Sequence, residues 1–387
     1  MARPPGVDVN RAGDLLTELV QIPSVNPAYD PDSPGEQAVA QYLAAHCAQL
    51  GMETLLSDAL PGRPNLTARL CAPRPAGVIV FEVHTDTVGL PTGTHTPDAR
   101  IIGGRLYGRG ACDAKGGLAA VLLALAELAA SPDDLNMDVV LLGAVDEEHQ
   151  YRGVLHYVDT RPDATAAIVV EPTGLAPVIS HSGCVRMRIT VAGQAAHSSR
   201  PSEGRNAIMD AYAAIQALRH WNDQRIRTLA TFAHAPTLSV NRITGGHAFN
   251  IVPDRCAFDV DIRTLPSDEP HDVVNEITQL LDDLEDTGVR ASITDTPVVD
   301  YGLDTPADHP LVHAVISACK AHRAHAIPQH VTFGTDASKL SRRGGVPSVV
   351  LGPGSIAQAH TDDEWINLID VVTAASVYAE IVRQLSD

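Results

Sequence analysis

Two kinds of apolar pattern run along the chain, and the change from one to the other divides it. In the first part continuous apolar runs dominate, at residues 78–83 (Val-Ile-Val-Phe-Glu-Val), 139–145 and 168–170. Short continuous runs rich in Val, Ile and Leu predict strands buried on both faces. Around them the sequence predicts helices at 15–19, 36–50 and 118–130, the second closing on Gly51 and the third on Ser131-Pro132. Near Ser182 the pattern changes. Val185, Met187, Ile189 and Val191 alternate with Arg186, Arg188 and Thr190, which predicts a half-buried strand. Leu238, Val240 and Ile243 mark a second strand, Cys256, Phe258, Val260 and Ile262 a third, and residues 289–298 a last one. Two helices lie between them: 206–222, with Ile208, Tyr212, Ile215 and Leu218 on one face, and a second striped by Val273, Ile277, Leu280 and Leu284. The order β-α-β-β-α-β is ferredoxin-like. Beyond Tyr301 the first pattern resumes, with a helix at 311–320, a buried strand at 348–351 and a closing helix at 366–385. The expectation is an α/β catalytic domain in two segments, 1–181 and 299–387, interrupted by a smaller domain at 182–298.

Polar residues that suit metals stand where the continuous runs end. The first run leads into His84-Thr85-Asp86, the second into Asp146-Glu147-Glu148 and the third into Glu171. The run at 347–351 leads, after a short loop, to His360, and Asp113 precedes the 118–130 helix. In open α/β sheets functional groups gather at the carboxyl ends of the strands. His84 and Asp86, two apart on an extended segment, leave the same face. One can bind metal while the carboxylate accepts the proton on the far ring nitrogen. Glu147 and Glu148 are adjacent and point apart, so one can bind metal while the other serves as general base. Each signal alone has a plainer reading: a surface turn, a solvated acidic loop, a helix cap. Their shared placement points to a two-metal hydrolase site. Arg263, on the polar face of an alternating strand, suits either a substrate carboxylate or an ion pair with Asp259 or Asp261.

Composition narrows the class. At 387 residues the chain exceeds one ordinary core, which fits two domains. A net charge of −19 argues against nucleic-acid binding. The longest apolar stretch, 118–130, is too short to span a bilayer, and residues 1–13 lack the apolar core of a secretory signal. The six cysteines form no CxxC pair, so reduced thiols in a cytoplasmic protein are expected. Cys112, beside Asp113, reads as a packing residue before a soft metal ligand.

Taken together, HTDTV (84–88), GRGACDAKGG (108–117), DEE (146–148), EPT (171–173), GQAAHSSRPSEGRNAI (193–208), GGHAFNIVPD (245–254), DIR (261–263), FGTDA (333–337) and GPGSIAQAH (352–360) make the chain resemble the M20 family of metallopeptidases and deacylases along nearly its whole length. The resemblance implies a mixed-sheet, zinc-peptidase-like catalytic domain with an inserted ferredoxin-like lid and dimerisation domain. It implies one metal on His84, Asp113 and Glu171, a second on Asp113, Glu148 and His360, Glu147 as general base and Asp86 as the partner of His84. His197 matches the family histidine that stabilises the oxyanion, often in the partner subunit; whether it acts in cis or in trans is open. Arg263 and Asn250 match positions that hold a substrate carboxylate, and Gly334 and Thr335 match substrate contacts. Two divalent ions are expected, zinc first, cobalt or manganese as alternatives. Two departures stand out: Gly89 replaces a frequent proline, and His149-Gln150-Tyr151-Arg152-Gly153 replaces a shorter turn after DEE. The implied activity is removal of an acyl group from an N-acyl-L-amino acid, as in acetylornithine deacetylases, by a homodimer. A dipeptidase or carboxypeptidase is the alternative, and a non-enzymatic metal-site binding protein is disfavoured by the presence of Glu147.

Overall fold

The structure, a computed structural model, describes residues 8–94, 96–229 and 235–386. The chain falls into two compact units, one built from residues 1–179, 305–329 and 335–387, the other from 180–304 and 330–334.

Through the first unit the order is α1 (Val9–Gln21), α2 (Gln37–Gln49), β1 (Glu53–Leu60), β2 (Arg63–Leu70), β3 (Val78–His84), β4 (Arg100–Ile102), β5 (Arg105–Tyr107), α3 (Lys115–Leu128), β6 (Asp138–Ala144), α4 (Arg152–Asp159), β7 (Ala166–Val169) and β8 (Val178–His181). The second unit carries β9 (Gly183–Ala192), α5 (Ala207–Leu229), β10 (Thr237–Gly245), β11 (Arg255–Thr264), α6 (Pro270–Asp283), β12 (Arg290–Asp300) and β13 (Leu303–Asp304). The chain closes with α7 (Pro310–Ala321), β14 (Gln329–Val331), β15 (Ser348–Val350), β16 (Trp365–Asn367) and α8 (Leu368–Ser386).

The main sheet of the first unit is mixed, in the order β1-β2-β6-β3-β7-β15-β8. Its centre is parallel: β3 pairs with β6 and β7, and β7 with β15. Every residue of these four strands is buried. That is why they read as unbroken apolar runs, since a parallel sheet is covered on both faces. Because they are parallel, their carboxyl ends open on one edge. His84 is the last residue of β3, and the loops with Asp146, Glu171 and residues 352–360 follow β6, β7 and β15. Helix α3 lies close to that edge. A Cβ on Gly117 would stand 2.3 Å from Val170 Cγ1, so only glycine lets the helix start approach the end of β7. Tyr378 of α8 is fully buried, 5.3 Å from the Phe81 ring of β3, and its hydroxyl donates to the Leu351 carbonyl at 2.9 Å.

The second unit holds an antiparallel sheet, β10-β11-β9-β12. The apolar positions of β9 and β11 form its core with α5 and α6. The opposite face carries Arg186 and Arg188, paired with Asp261 and Asp259 at 2.8 and 2.7 Å. Helix α5 differs from the expectation set by its large apolar residues. Its buried face is Ala207, Ala211, Ala214 and Leu218, while Ile208, Met209 and Tyr212 are 38%, 60% and 58% exposed. Small residues let the helix lie close on a sheet already filled by β-branched side chains.

The close approach at Gly117 is testable. Gly117→Ala should lower stability by about 1–3 kcal/mol through overpacking. Gly89→Ala should leave it nearly unchanged, because nothing lies within 4 Å of a Cβ there. Chemical denaturation of the two variants checks this; equal stabilities would contradict it.

Candidate active site

At the edge where the parallel strands end, the side chains converge. His84 Nε2 stands 2.9 Å from Asp113 Oδ1 and 4.0 Å from Glu171 Oε2. His360 Nε2 stands 3.0 Å from Glu148 Oε1 and 3.3 Å from Asp113 Oδ2. Asp113 therefore faces one imidazole with each carboxylate oxygen. His84, Glu147 and Glu171 each offer a ligand atom within 4.8 Å of the others, and so do His84, Asp113 and Glu148. The far nitrogen of His84, Nδ1, lies 3.0 Å from the Asp86 carbonyl and 3.5 Å from its carboxylate. His360 takes a left-handed backbone (φ 59°), an unfavourable conformation held at the site.

Buried acceptors hold these loops in place. Glu364, 2% exposed, accepts the backbone N–H groups of Gly110, Cys112 and Asp113 at 3.1, 2.9 and 3.0 Å, and Arg109 Nη1 at 2.7 Å. The Asp113 loop is thus wound around one carboxylate. Asp86 accepts the N–H groups of Glu147 and Glu148 at 3.1 and 3.2 Å. Asp146, also left-handed (φ 69°), is paired with Arg152 at 2.5 Å and Arg63 at 3.2 Å. Arg152 belongs to the longer turn after DEE. Its guanidinium anchors that turn to the residue preceding Glu147. Lys115 Nζ donates to the carbonyls of Leu19 and Ile22, at 3.0 and 2.7 Å, tying the end of α1 to the start of α3.

Burial sets the electrostatics. The Glu147 and Glu171 carboxyls are pushed well above their ordinary value, first by burial and then by neighbouring carboxylates. Burial also raises Glu148, against the hydrogen bond from His360. Burial works on Asp113 in the same direction, but the two imidazoles outweigh it and hold this carboxyl below the usual range. His360 is raised to about 10 by Asp113 and Glu148. The donor set is oxygen and imidazole, anionic and crowded. It fits divalent cations, whose charge would replace the bound protons. Cys112 does not join it: its thiol donates to the Ser355 carbonyl at 3.5 Å, and burial pushes its pKa up.

The profile of peptidase family M20/M25/M40 matches residues 80–384. The chain belongs to that family. It is 29% identical to the acetylornithine deacetylase of Klebsiella pneumoniae (strain 342), over 98% of this chain and 97% of the relative. Its fold is that of aminopeptidase PepT from Bacillus cereus (TM-score 0.82, 21% identity, 98% and 100% of the two chains). It is also that of a dinuclear metal-binding M20 peptidase from Bacillus subtilis (TM-score 0.74, 14% identity, 98% of each chain). This M20 protein is accordingly a hydrolase of amide bonds.

Of the remaining residues singled out in the sequence of this M20 protein, one belongs to the first unit and four to the second. Thr335 is buried in the first unit, where its hydroxyl accepts the Ala337 N–H at 3.2 Å and its carbonyl accepts Lys339 Nζ at 3.1 Å. His197, Asn250, Arg263 and Gly334 belong to the second unit. His197 and Asn250 share one loop cluster, where Ser198 N–H donates to the Asn250 carbonyl at 3.0 Å. His197 is exposed, and its Nδ1 accepts the Ser199 N–H at 3.2 Å, which puts the proton of the neutral ring on Nε2. Arg263 Nε donates to Asp261 Oδ1 at 2.8 Å. Glu364, Lys115 and Asn26 were not singled out for a site role in the sequence. Glu364 had one signal, its place just after the GPGSIAQAH motif.

The raised carboxyls make a prediction about the metal-free M20 protein. Between the ordinary value of 4.5 and their raised values, Glu147, Glu148 and Glu171 keep protons that the unfolded chain has released. There the native state binds more protons, so stability falls as pH rises. His360, raised from 6.5, has the same sign. Among the described residues, His46, lowered by burial, opposes them in this window, and Lys115, lowered to about 7, opposes them above it. The Tm of chelator-treated protein should therefore drop between about pH 5 and about pH 7, and divalent metal should reduce that drop. A Tm that rises over this interval without metal contradicts the assignment.

Proposed function

We propose that the chain is a two-metal deacylase that removes the acyl group from N-acyl-L-amino acids. The observation that carries this reading is the convergence of His84, Asp113, Glu147, Glu148, Glu171 and His360 at the ends of parallel strands. The choice of substrate class is supported by the similarity to an acetylornithine deacetylase across 98% of the chain. His84, Asp113 and Glu171 would hold one ion, and Asp113, Glu148 and His360 the other. Zinc is the first choice, with cobalt or manganese as alternatives. Bound there, the ions would polarise the scissile carbonyl and lower the pKa of the attacking water.

The chain's own groups carry out the proton transfers. Glu147 takes the proton of the attacking water and delivers it to the leaving amine. Asp86 keeps His84 in the tautomer that leaves Nε2 free as a ligand. His197 donates its Nε2–H to the oxyanion. Arg263 and Asn250 hold the substrate carboxylate, which competes with Asp261 for the Arg263 guanidinium, and Gly334 and Thr335 contact the substrate.

Residues 182–298 serve in this proposal as the lid and dimerisation domain of a cytoplasmic homodimer. Support comes from Ile208, Met209, Tyr212 and Ile243, exposed beside the edge strand β10. No helix among the described residues is long and apolar enough to cross a membrane.

Chelated protein should hydrolyse nothing, and zinc or cobalt should restore turnover on N-acetyl or N-succinyl amino acids above that on dipeptides. Dipeptides turned over fastest would replace the deacylase with a peptidase. Glu147→Gln should lower kcat by about 10²–10⁴-fold with metal content near normal, whereas Glu148→Gln should lose metal. The reverse pattern would exchange the two roles.

Assembly has its own test. If His197 completes the partner's site, mixing His197→Ala subunits with Glu147→Gln subunits should recover activity, because one site of each mixed dimer joins an intact Glu147 to an intact His197. Mixed dimers without activity would place His197 in its own subunit's site, and His197→Ala subunits active by themselves would place it outside catalysis.

A further inference from the structure

Asn26 lies far from every motif that marks the site, yet it touches two of its loops. It is fully buried. Its Nδ2 donates to Asp86 Oδ2 at 2.7 Å and to Asp146 Oδ1 at 3.0 Å. Its Oδ1 accepts the Ala28 N–H at 3.0 Å, which fixes the amide with its nitrogen toward the two carboxylates. The surrounding backbone is pinned as well. Asn26 N–H donates to the Thr87 carbonyl at 2.9 Å, and Thr87 N–H to the Ser24 carbonyl at 3.0 Å. Three residues on, the Tyr29 hydroxyl donates to the Glu148 carbonyl at 2.8 Å.

One amide therefore joins the loop after β3 to the loop after β6. Asp86 passes the restraint on, because the same carboxylate accepts the N–H groups of Glu147 and Glu148. The position demands two protons and one acceptor in a small buried volume. Asparagine supplies these; serine supplies one proton, alanine and leucine none. Without the donors, Asp86 and Asp146 face each other across the gap as buried carboxylates, left to their other partners: the Glu147 and Glu148 N–H groups for Asp86, Arg63 and Arg152 for Asp146.

We propose that Asn26 is a positioning residue that sets the separation of the His84–Asp86 loop from the Glu147–Glu148 loop. It acts through Asp86 and touches no substrate. The proposal rests on the reading of Glu147 as base and Glu148 as ligand.

The test separates donation from space-filling. Asn26→Leu keeps the volume and removes both donors; Asn26→Ala removes volume and donors but admits water; Asn26→Ser keeps one donor. For zinc-loaded protein, kcat should rank wild type, Ser, Ala, Leu, with KM little changed and a loss of roughly 10–100-fold for Leu, the range expected of a misplaced catalytic group. Metal retention against a competing chelator should place Ser above Ala and Leu. A space-filling role predicts instead that Leu is the mildest of the three, or that Tm falls while kcat of the folded protein stays level; either result overturns the proposal. The chelator ranking reads Asn26 even where Leu folds poorly. A wild type without metal-dependent hydrolysis would defeat the deacylase reading and leave that ranking to decide Asn26.

Discussion

Burying several carboxyl groups side by side is unfavourable, because each loses its hydration and each raises the cost of ionising its neighbour. Glu82, Glu147, Glu148 and Glu171 meet that situation at one edge of the main sheet, and all four are pushed above their ordinary range, burial being the largest cause. The influences that lower them come chiefly from His84 and His360. Asp113 is the exception, facing both imidazoles. The metal-free protein relieves the crowding with protons. In the proposed enzyme, two divalent ions take their place, and Glu147, left without a metal to hold and raised above the ordinary carboxyl range by burial, is the group free to act as base.

That arrangement constrains the rest of the fold. Parallel strands bring the acidic loops to one edge, and a further set of carboxylates keeps the loops there by accepting backbone N–H groups. Glu364 gathers the Asp113 loop, and Asp86 gathers the Glu147–Glu148 turn. These acceptors are in turn held by Arg109, Asn26 and the interleaved ion pairs of Arg63, Arg152, Glu36 and Asp146. The same logic places glycine at 117, where the start of α3 must lie against Val170.

The central strands were legible because burial on both faces leaves a continuous apolar run; the run at 78–83 became β3 with one residue added, His84 itself. Helix α3 begins at Lys115, earlier than its apolar stretch, because Gly116 and Gly117 disguise a helix start that close packing requires. The hairpin β1–β2 escaped notice because most of β1 is exposed and lacks alternation. The three-residue strands β4, β5 and β16 are too short to carry a period. In α5 the large apolar residues Ile208, Met209 and Tyr212 lie outward, since packing on the sheet selected its alanines and Leu218. Site residues that precede or follow buried strands announced themselves by position. Asn26 and Glu364 did not, because their partners in the site loops lie 60 to 255 residues away in the chain.

The claim that buried protons stand where divalent cations belong is open to direct measurement. Zinc titrated calorimetrically into chelated protein, in buffers of differing ionisation enthalpy near neutral pH, counts the protons displaced. The account predicts two bound ions per chain and a net release of protons from the carboxyls and imidazoles of the site. Two ions bound with no proton release would mean that the carboxylates were already ionised and that the crowding described here does not govern the site.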